Sequence, residues 1–167
     1  MKRLLPLILL LLLITSCGSS KSTSNNTYKK ERTSSRTSHK AASNNIIDYA
    51  RTFRGTRYKY GGTTSRGMDC SGLVYVSFGN ENIQMPRVSR EMAKRGTKIS
   101  LSNVAEGDLV FFRTNKNSRN INHVGIVTET NGGGIKFIHS TTSKGVIESS
   151  LDERYWKNAF VQARKIL

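Results

Sequence analysis

Five short runs of β-branched and aromatic residues crowd the C-terminal part of the chain: DLVFF at 108–112, HVGIVTET at 123–130, IKFIHS at 135–140, GVIESS at 145–150 and FVQARKI at 160–166. Runs of this length bounded by Gly, Asn and Ser read as strands, and NGGG at 131–134 sits where an antiparallel hairpin would turn. The stretch before them has helical texture. In SNNIIDYARTFRG, Ile46, Ile47, Ala50 and Phe53 recur at helical spacing, with Ser43 or Asn44 as N-cap and Gly55 as stop. CSGLVYVSFGN reads as a buried helix from Cys70 to Phe78, capped by Asp69 and closed by Gly79, although its β-branched content would also suit a strand. SREMAKRG predicts a short amphipathic helix from Ser89 to Gly96. Helices first and a meander of strands after them predict an α+β domain.

Upstream of residue 45 the texture changes. Lys2 and Arg3 precede an apolar run from Leu4 to Ile14, which is shorter than a spanning helix needs and ends in small residues. This predicts a secretory signal over residues 1–16. ITSC at 14–17 resembles a bacterial lipobox, whose cysteine is acylated and becomes the new N-terminus, so Cys17 is the expected lipid anchor. Gly18 follows it rather than aspartate, which favours the outer membrane, facing the periplasm, where two membranes exist. Residues 18–44 are rich in Ser, Thr, Asn and Lys and hold almost nothing apolar. Such a segment buries too little surface to offset chain entropy, which predicts a lipidated cysteine and flexible basic tether over 17–44 and a folded domain over 45–167.

The formal net charge of +16 is spread along the chain, with nineteen basic against ten acidic side chains from residue 45 onward. Nucleic acid is the usual partner for such a balance, but export and the lack of an aromatic–basic readout motif argue against it. A polyanionic envelope, through cell-wall carboxylates or acidic lipid head groups, fits better, with a merely solvated basic surface as the plain alternative.

The chain has two cysteines. With Cys17 acylated, Cys70 has no intrachain partner in a disulfide-permissive compartment. It is then a buried small residue, a metal ligand or a nucleophile. A helix start lowers a thiol's pKa through the macrodipole and free N–H groups. His123 opens one strand and His139 closes the next, so a hairpin would set the two imidazoles side by side. That arrangement suits Cys70 as nucleophile, His123 as general base and His139 as the group orienting its ring, with N–H groups around Cys70 and Ser71 for an oxyanion. A Cys/His/His zinc site is the rival, weakened because no close ligand pair nucleates it.

Together, GTRYKYGGTTSRGMDCSGLV (55–74), GDLVFF (107–112), NHVGIV (122–127) and FIHS (137–140) resemble the NlpC-type family of bacterial cell-wall cysteine endopeptidases, across about residues 45–165. The resemblance implies a papain-like fold, with the nucleophile's helix packed on an antiparallel sheet. It assigns Cys70, His123 and His139 the catalytic roles above. It places Tyr58 with its hydroxyl toward the oxyanion, and Asp69, Ser71, Arg87 and Ser89 along the substrate cleft. Gly107 and Asp108 are expected to be structural, leading into a core strand. The implied activity is hydrolysis of an amide bond in peptidoglycan stem peptides, between the γ-carboxyl of D-glutamate and diaminopimelate or lysine. No metal or cofactor is implied, and a monomer held at the membrane by lipid on Cys17 is expected. Two other readings stand beside it: a wall-binding lipoprotein with a vestigial site, and an amidase or acyltransferase on the same scaffold.

Overall fold

The computed structural model describes residues 25–167 apart from Lys116 and Gly133, with side chains from Arg36 onward. The expected signal segment 1–16 and Cys17 lie outside the described residues. The first element is α1, Asn25–Arg51. Its last two turns behave as the spacing predicts, burying Ile46, Ile47 and Ala50. Its start does not. The helix runs unbroken through Ser43 and Asn44 and back across most of the expected tether, which is therefore helical from Asn25. The buried turns supply a nucleus, after which each further residue adds one backbone hydrogen bond. The Lys, Arg and Ala residues interspersed among the Ser, Thr and Asn of this stretch lose little in a helix. Composition alone argued for coil and ignored this propagation. At its other end α1 is clamped to the sheet, because Arg51 Nε and Arg54 Nη2 each lie 3.0 Å from one carboxyl oxygen of Glu148.

A two-stranded ribbon follows, β1 (Thr63–Thr64) with β2 (Gly67–Met68). It delivers the chain into α2, Cys70–Gly79. Asp69 caps α2 as expected, its carboxylate accepting from Gly72 N. Seven of the ten residues of α2 are buried, among them Cys70, Leu73, Val74 and Phe78, so the helix shows no clear polar face. This explains why its sequence could not be told from a strand by periodicity. The next helix, α3, spans only Ser89–Met92. The helix thus stops four residues short of the Gly96 end that the sequence predicts, and the chain turns at Gly96 (φ +64°) into β3, Thr97–Ile99, a strand the sequence does not announce. A 3-10 turn, Leu101–Asn103, leads on toward the central strands.

These strands are β4 (Leu109–Phe112), β5 (His123–Glu129), β6 (Lys136–Thr141), β7 (Gly145–Ser150) and, after the short helix α4 (Arg154–Ala159), β8 (Phe160–Lys165). With β3 they form one antiparallel sheet in the order β3-β8-β4-β5-β6-β7. Each of the five strands read from the sequence is present, within a residue at either end. Gly107 takes φ +89° and the Asp108 carboxylate accepts from Ala105 N at 2.8 Å, so this pair makes the tight turn into β4. On one face of the sheet α1, α2 and α3 enclose Leu73, Phe78, Leu109, Phe111, Val124 and Ile126. On the other, α4 lays Trp156 over Phe112, Val127 and Phe137. The architecture is α+β and papain-like, with the cysteine at the start of a helix that packs on β5 and β6.

Candidate active site

Cys70 lies in the first turn of α2, 8% exposed. Backbone N–H groups of Val124, Ser71 and Cys70 itself are directed at its thiol. Contact with Val124 places the sulfur at the head of β5, where His123 is the first residue. Gly125, the third residue of that strand, permits the close fit of β6. A Cβ there would come within 2.5 Å of Phe137 Cδ2 and 3.1 Å of Ile138 O.

The hairpin juxtaposition predicted for the two histidines is present. β5 and β6 pair through Ile126↔Ile138 and Val127↔Phe137, and His123 Nε2 lies 2.8 Å from His139 Nδ1. His139 is fully buried, and its other nitrogen, Nε2, is 3.1 Å from Ser149 Oγ. With Nε2 of His123 engaged, Nδ1 is the nitrogen left for the cysteine. Trp156 stacks on the His123 ring at 5.2 Å and 23°, and meets the His139 ring edge-on at 4.6 Å. The two imidazoles thus sit in a dry aromatic pocket.

That dryness decides their charges. Burial pushes the Cys70 thiol up to about 11, and the Asp69 carboxylate adds to the effect against the opposing backbone N–H groups. Burial also pushes His123 down to about 4, and His139 down as well, with His123 adding to the shift. The helix-start N–H groups do act to lower the thiol's pKa, as expected, but burial opposes them and is the larger influence at a sulfur this enclosed. Both shifts favour the neutral forms near neutral pH, a thiol at Cys70 and an imidazole at His123.

The chain's one tryptophan makes this testable. Protonated imidazole quenches indole fluorescence, so Trp156 reports on His123. Since the folded-state pKa is depressed, His123 stays neutral as pH falls through 6.5 and gains its proton only near 4. The unfolded chain takes up that proton first, so fold stability declines as pH drops below 6.5. The emission is expected to stay flat from pH 8 to about 5.5 and to titrate below 5. A transition centred at 6.5 would contradict the assignment.

Beside the thiol lies a polar cluster. Arg87 meets Asp69 as a fork, Nη1 to Oδ1 at 2.9 Å and Nη2 to Oδ2 at 2.7 Å, and Nη1 also donates to Ser71 Oγ at 2.8 Å. Asp69 additionally accepts from Gly72 N at 2.6 Å and Gly61 N at 2.7 Å. Burial works to raise this carboxyl, but the Arg87 hydrogen bonds and the two N–H groups overcome it and hold the pKa below its ordinary value. Gly72 cannot carry a side chain, since a Cβ would collide with the Gly62 carbonyl oxygen, which itself accepts from Arg87 Nη2 at 3.3 Å. Tyr58 is half-buried, and burial followed by the charges of Cys70 and Asp69 raises its pKa, so it keeps its phenolic proton as a donor near the thiol. Four of the five expected cleft residues therefore converge. Ser89 is buried at the start of α3, and no described hydrogen bond joins its side chain to the cluster. Replacing Arg87 by alanine would strand a buried carboxylate, and a loss of about 3 kcal/mol in urea unfolding is expected. Lysine lacks the fork and should recover less than half of it.

The family model for the NlpC/P60 family matches residues 55–165. The chain belongs to the NlpC/P60 family. The match begins at Gly55, after α1, and takes in α2 and every strand of the large sheet. The probable endopeptidase NlpC of Escherichia coli (strain K12) is 44% identical over 122 residues, which are 72% of this chain and 76% of that protein. The murein DD-endopeptidase MepS/murein LD-carboxypeptidase of the same strain is 41% identical over 123 residues, 73% of this chain and 62% of that protein. A gamma-DL-glutamyl hydrolase of Bacillus subtilis (strain 168) is 33% identical over 124 residues, but the match spans 29% of it. Among solved structures, an NlpC/P60 family protein from Bacillus cereus ATCC 10987 superposes with a TM-score of 0.68 at 25% identity, covering 75% of this chain and 40% of that one.

Two residues of this NlpC/P60 site were not read from the sequence, Trp156 and Ser149. A single tryptophan between two strand signals was the available hint for the first. Ser149 had none, because only the sheet register brings it under His139. Among the described residues no group of three His, Cys, Asp or Glu side chains is arranged to hold a metal ion. The facing nitrogens of His123 and His139 instead have the spacing of a shared proton.

Proposed function

We propose that this chain hydrolyses an amide bond in the stem peptides of peptidoglycan, with Cys70 as the nucleophile. The observation that carries the proposal is the paired imidazoles of His139 and His123 at the head of β5, where the next residue's N–H, that of Val124, is directed at the Cys70 thiol. As Sγ bonds to the substrate carbonyl carbon, its proton passes to His123 Nδ1, and His139 Nδ1 accepts from the resulting imidazolium. First-turn N–H groups of Cys70 and Ser71, with the Tyr58 hydroxyl, face the oxyanion. The tetrahedral adduct collapses with cleavage of C–N, and His123 returns the proton to the departing amine. Water then attacks the thioester, gives its proton to His123, and the acid leaves as Cys70 regains its own.

Peptidoglycan as substrate is supported by the relatives named murein endopeptidases. The choice of bond has two supports. The γ-D-glutamyl bond to diaminopimelate or lysine agrees with the relative named a gamma-DL-glutamyl hydrolase. The greater identity to a murein DD-endopeptidase favours a second reading, cleavage of the D,D cross-link. Digestion of defined monomeric and cross-linked muropeptides, read by mass spectrometry, separates them. Cleavage of the monomer at the γ-D-glutamyl bond supports the first, and conversion of dimer to intact monomers supports the second. Product-free binding would instead indicate a wall-binding lipoprotein, and transfer to an added amine an acyltransferase.

Export through residues 1–16, acylation of Cys17 and residence as a monomer on the periplasmic face of the outer membrane complete the proposal. They rest on the lipobox-like ITSC and on the basic stretch that follows it. The helical course of residues 25–44 makes that stretch a partly stiff spacer between anchor and domain.

A further inference from the structure

We infer that Ser149 is a positioning residue that fixes the tautomers of the two-histidine relay. The inference rests on the proposed role of His123 as base, and it concerns a residue that touches neither thiol nor substrate. Ser149 lies on β7 opposite Phe137, two residues along from Ile147, the register partner of His139. Alternation along the strands puts Ser149, Phe137 and His139 on one face of the sheet. Its hydroxyl is 3.1 Å from His139 Nε2, and both side chains are removed from solvent.

The chain Ser149–His139–His123 is directional, because a neutral imidazole carries one donor and one acceptor. If Ser149 Oγ accepts from His139 Nε2–H, then His139 Nδ1 is a lone pair and accepts from His123 Nε2–H. His123 Nδ1 is then also a lone pair, as a base facing the cysteine must be. If the hydroxyl donates instead, each proton moves along by one position and His123 Nδ1 is already protonated, which is inert. Once His123 has taken the thiol proton, both of its nitrogens carry hydrogen, and only the first arrangement gives Nε2–H an acceptor. A Ser149 hydroxyl that accepts from His139 thus supports the charged intermediate state as well as the reactive neutral one.

Removing the hydroxyl leaves the Nε2–H of a fully buried His139 without a partner. The ring relieves this by moving its proton to Nδ1, which turns the relay to its inert direction.

The test uses the full chain with Ser149→Ala and Ser149→Thr. Kinetics are read on a soluble stem peptide, and the histidine tautomers by nitrogen-15 NMR. For Ser149→Ala, kcat is expected to fall by about 10–100-fold while KM stays within about twofold, since no substrate contact is lost. Ser149→Thr keeps the hydroxyl and should stay within about threefold of wild type. The NMR spectrum should show the His139 proton on Nε2 in the wild type and the threonine variant, and on Nδ1 in the alanine variant. A wild-type kcat for Ser149→Ala would overturn the inference. So would a His139 proton on Nδ1 in the wild-type protein, which needs no variant to fold. Failure of the underlying reading is seen separately, as a Cys70→Ala protein that still cleaves.

Discussion

Replacing His123 by alanine is expected to lower kcat/KM at pH 7 by about 10³–10⁴-fold. The size follows from the environment of the thiol. With its pKa pushed to about 11, Cys70 is ionised in roughly one molecule in ten thousand at pH 7 unless a base takes the proton as attack occurs. In the wild type His123 does this and needs only to be neutral, which its own depressed pKa secures. In the alanine variant only the rare thiolate reacts. Its residual rate should therefore climb about tenfold per pH unit toward 11, where the wild type has no such slope. Trp156 and Phe112 pack on the lost ring, so retention of fold is checked by circular dichroism before the rates are compared. A variant within tenfold of wild type at pH 7, with no added pH slope, would remove His123 from the mechanism.

Conversion of Cys70 to serine should cost at least about 10³-fold. The two side chains are close in size, so the cap, the helix and the Asp69–Arg87 fork are retained and only the nucleophile changes. A hydroxyl is far less acidic than a thiol, and an imidazole held down to about 4 is a weak base for it. The same burial that sulfur tolerates is then prohibitive for an alkoxide. Serine retaining a tenth of wild-type turnover in the soluble assay would mean that proton removal by His123 does not limit attack.

The parts of this site that were legible in the sequence are those built from local chemistry. Asp69 beside Cys70 reads as a cap because the bond it makes, to Gly72 N, closes within three residues. His123 and His139 read as neighbours because a hairpin relates them without knowledge of the rest of the sheet. What escaped depends on longer connections. The Arg87–Asp69 fork spans 18 residues of sequence, and family resemblance, not spacing, put Arg87 in the cleft. Trp156 lies in a six-residue helix whose neighbours Tyr155 and Lys157 are exposed, so no apolar pattern announces it. Low hydrophobicity over residues 18–44 excludes a packed core but not a helix extended from one, which is how α1 reaches back to Asn25. The balance at the thiol is illegible for a related reason, since a helix start is visible in sequence and the depth of burial that opposes it is not.

The most direct measurement of the central claim is mass spectrometry of isolated sacculi incubated with the wild-type protein and with Cys70→Ala. The account predicts stem-peptide fragments from the wild type and none above background from the variant. Fragments released by the variant at the wild-type rate would contradict it.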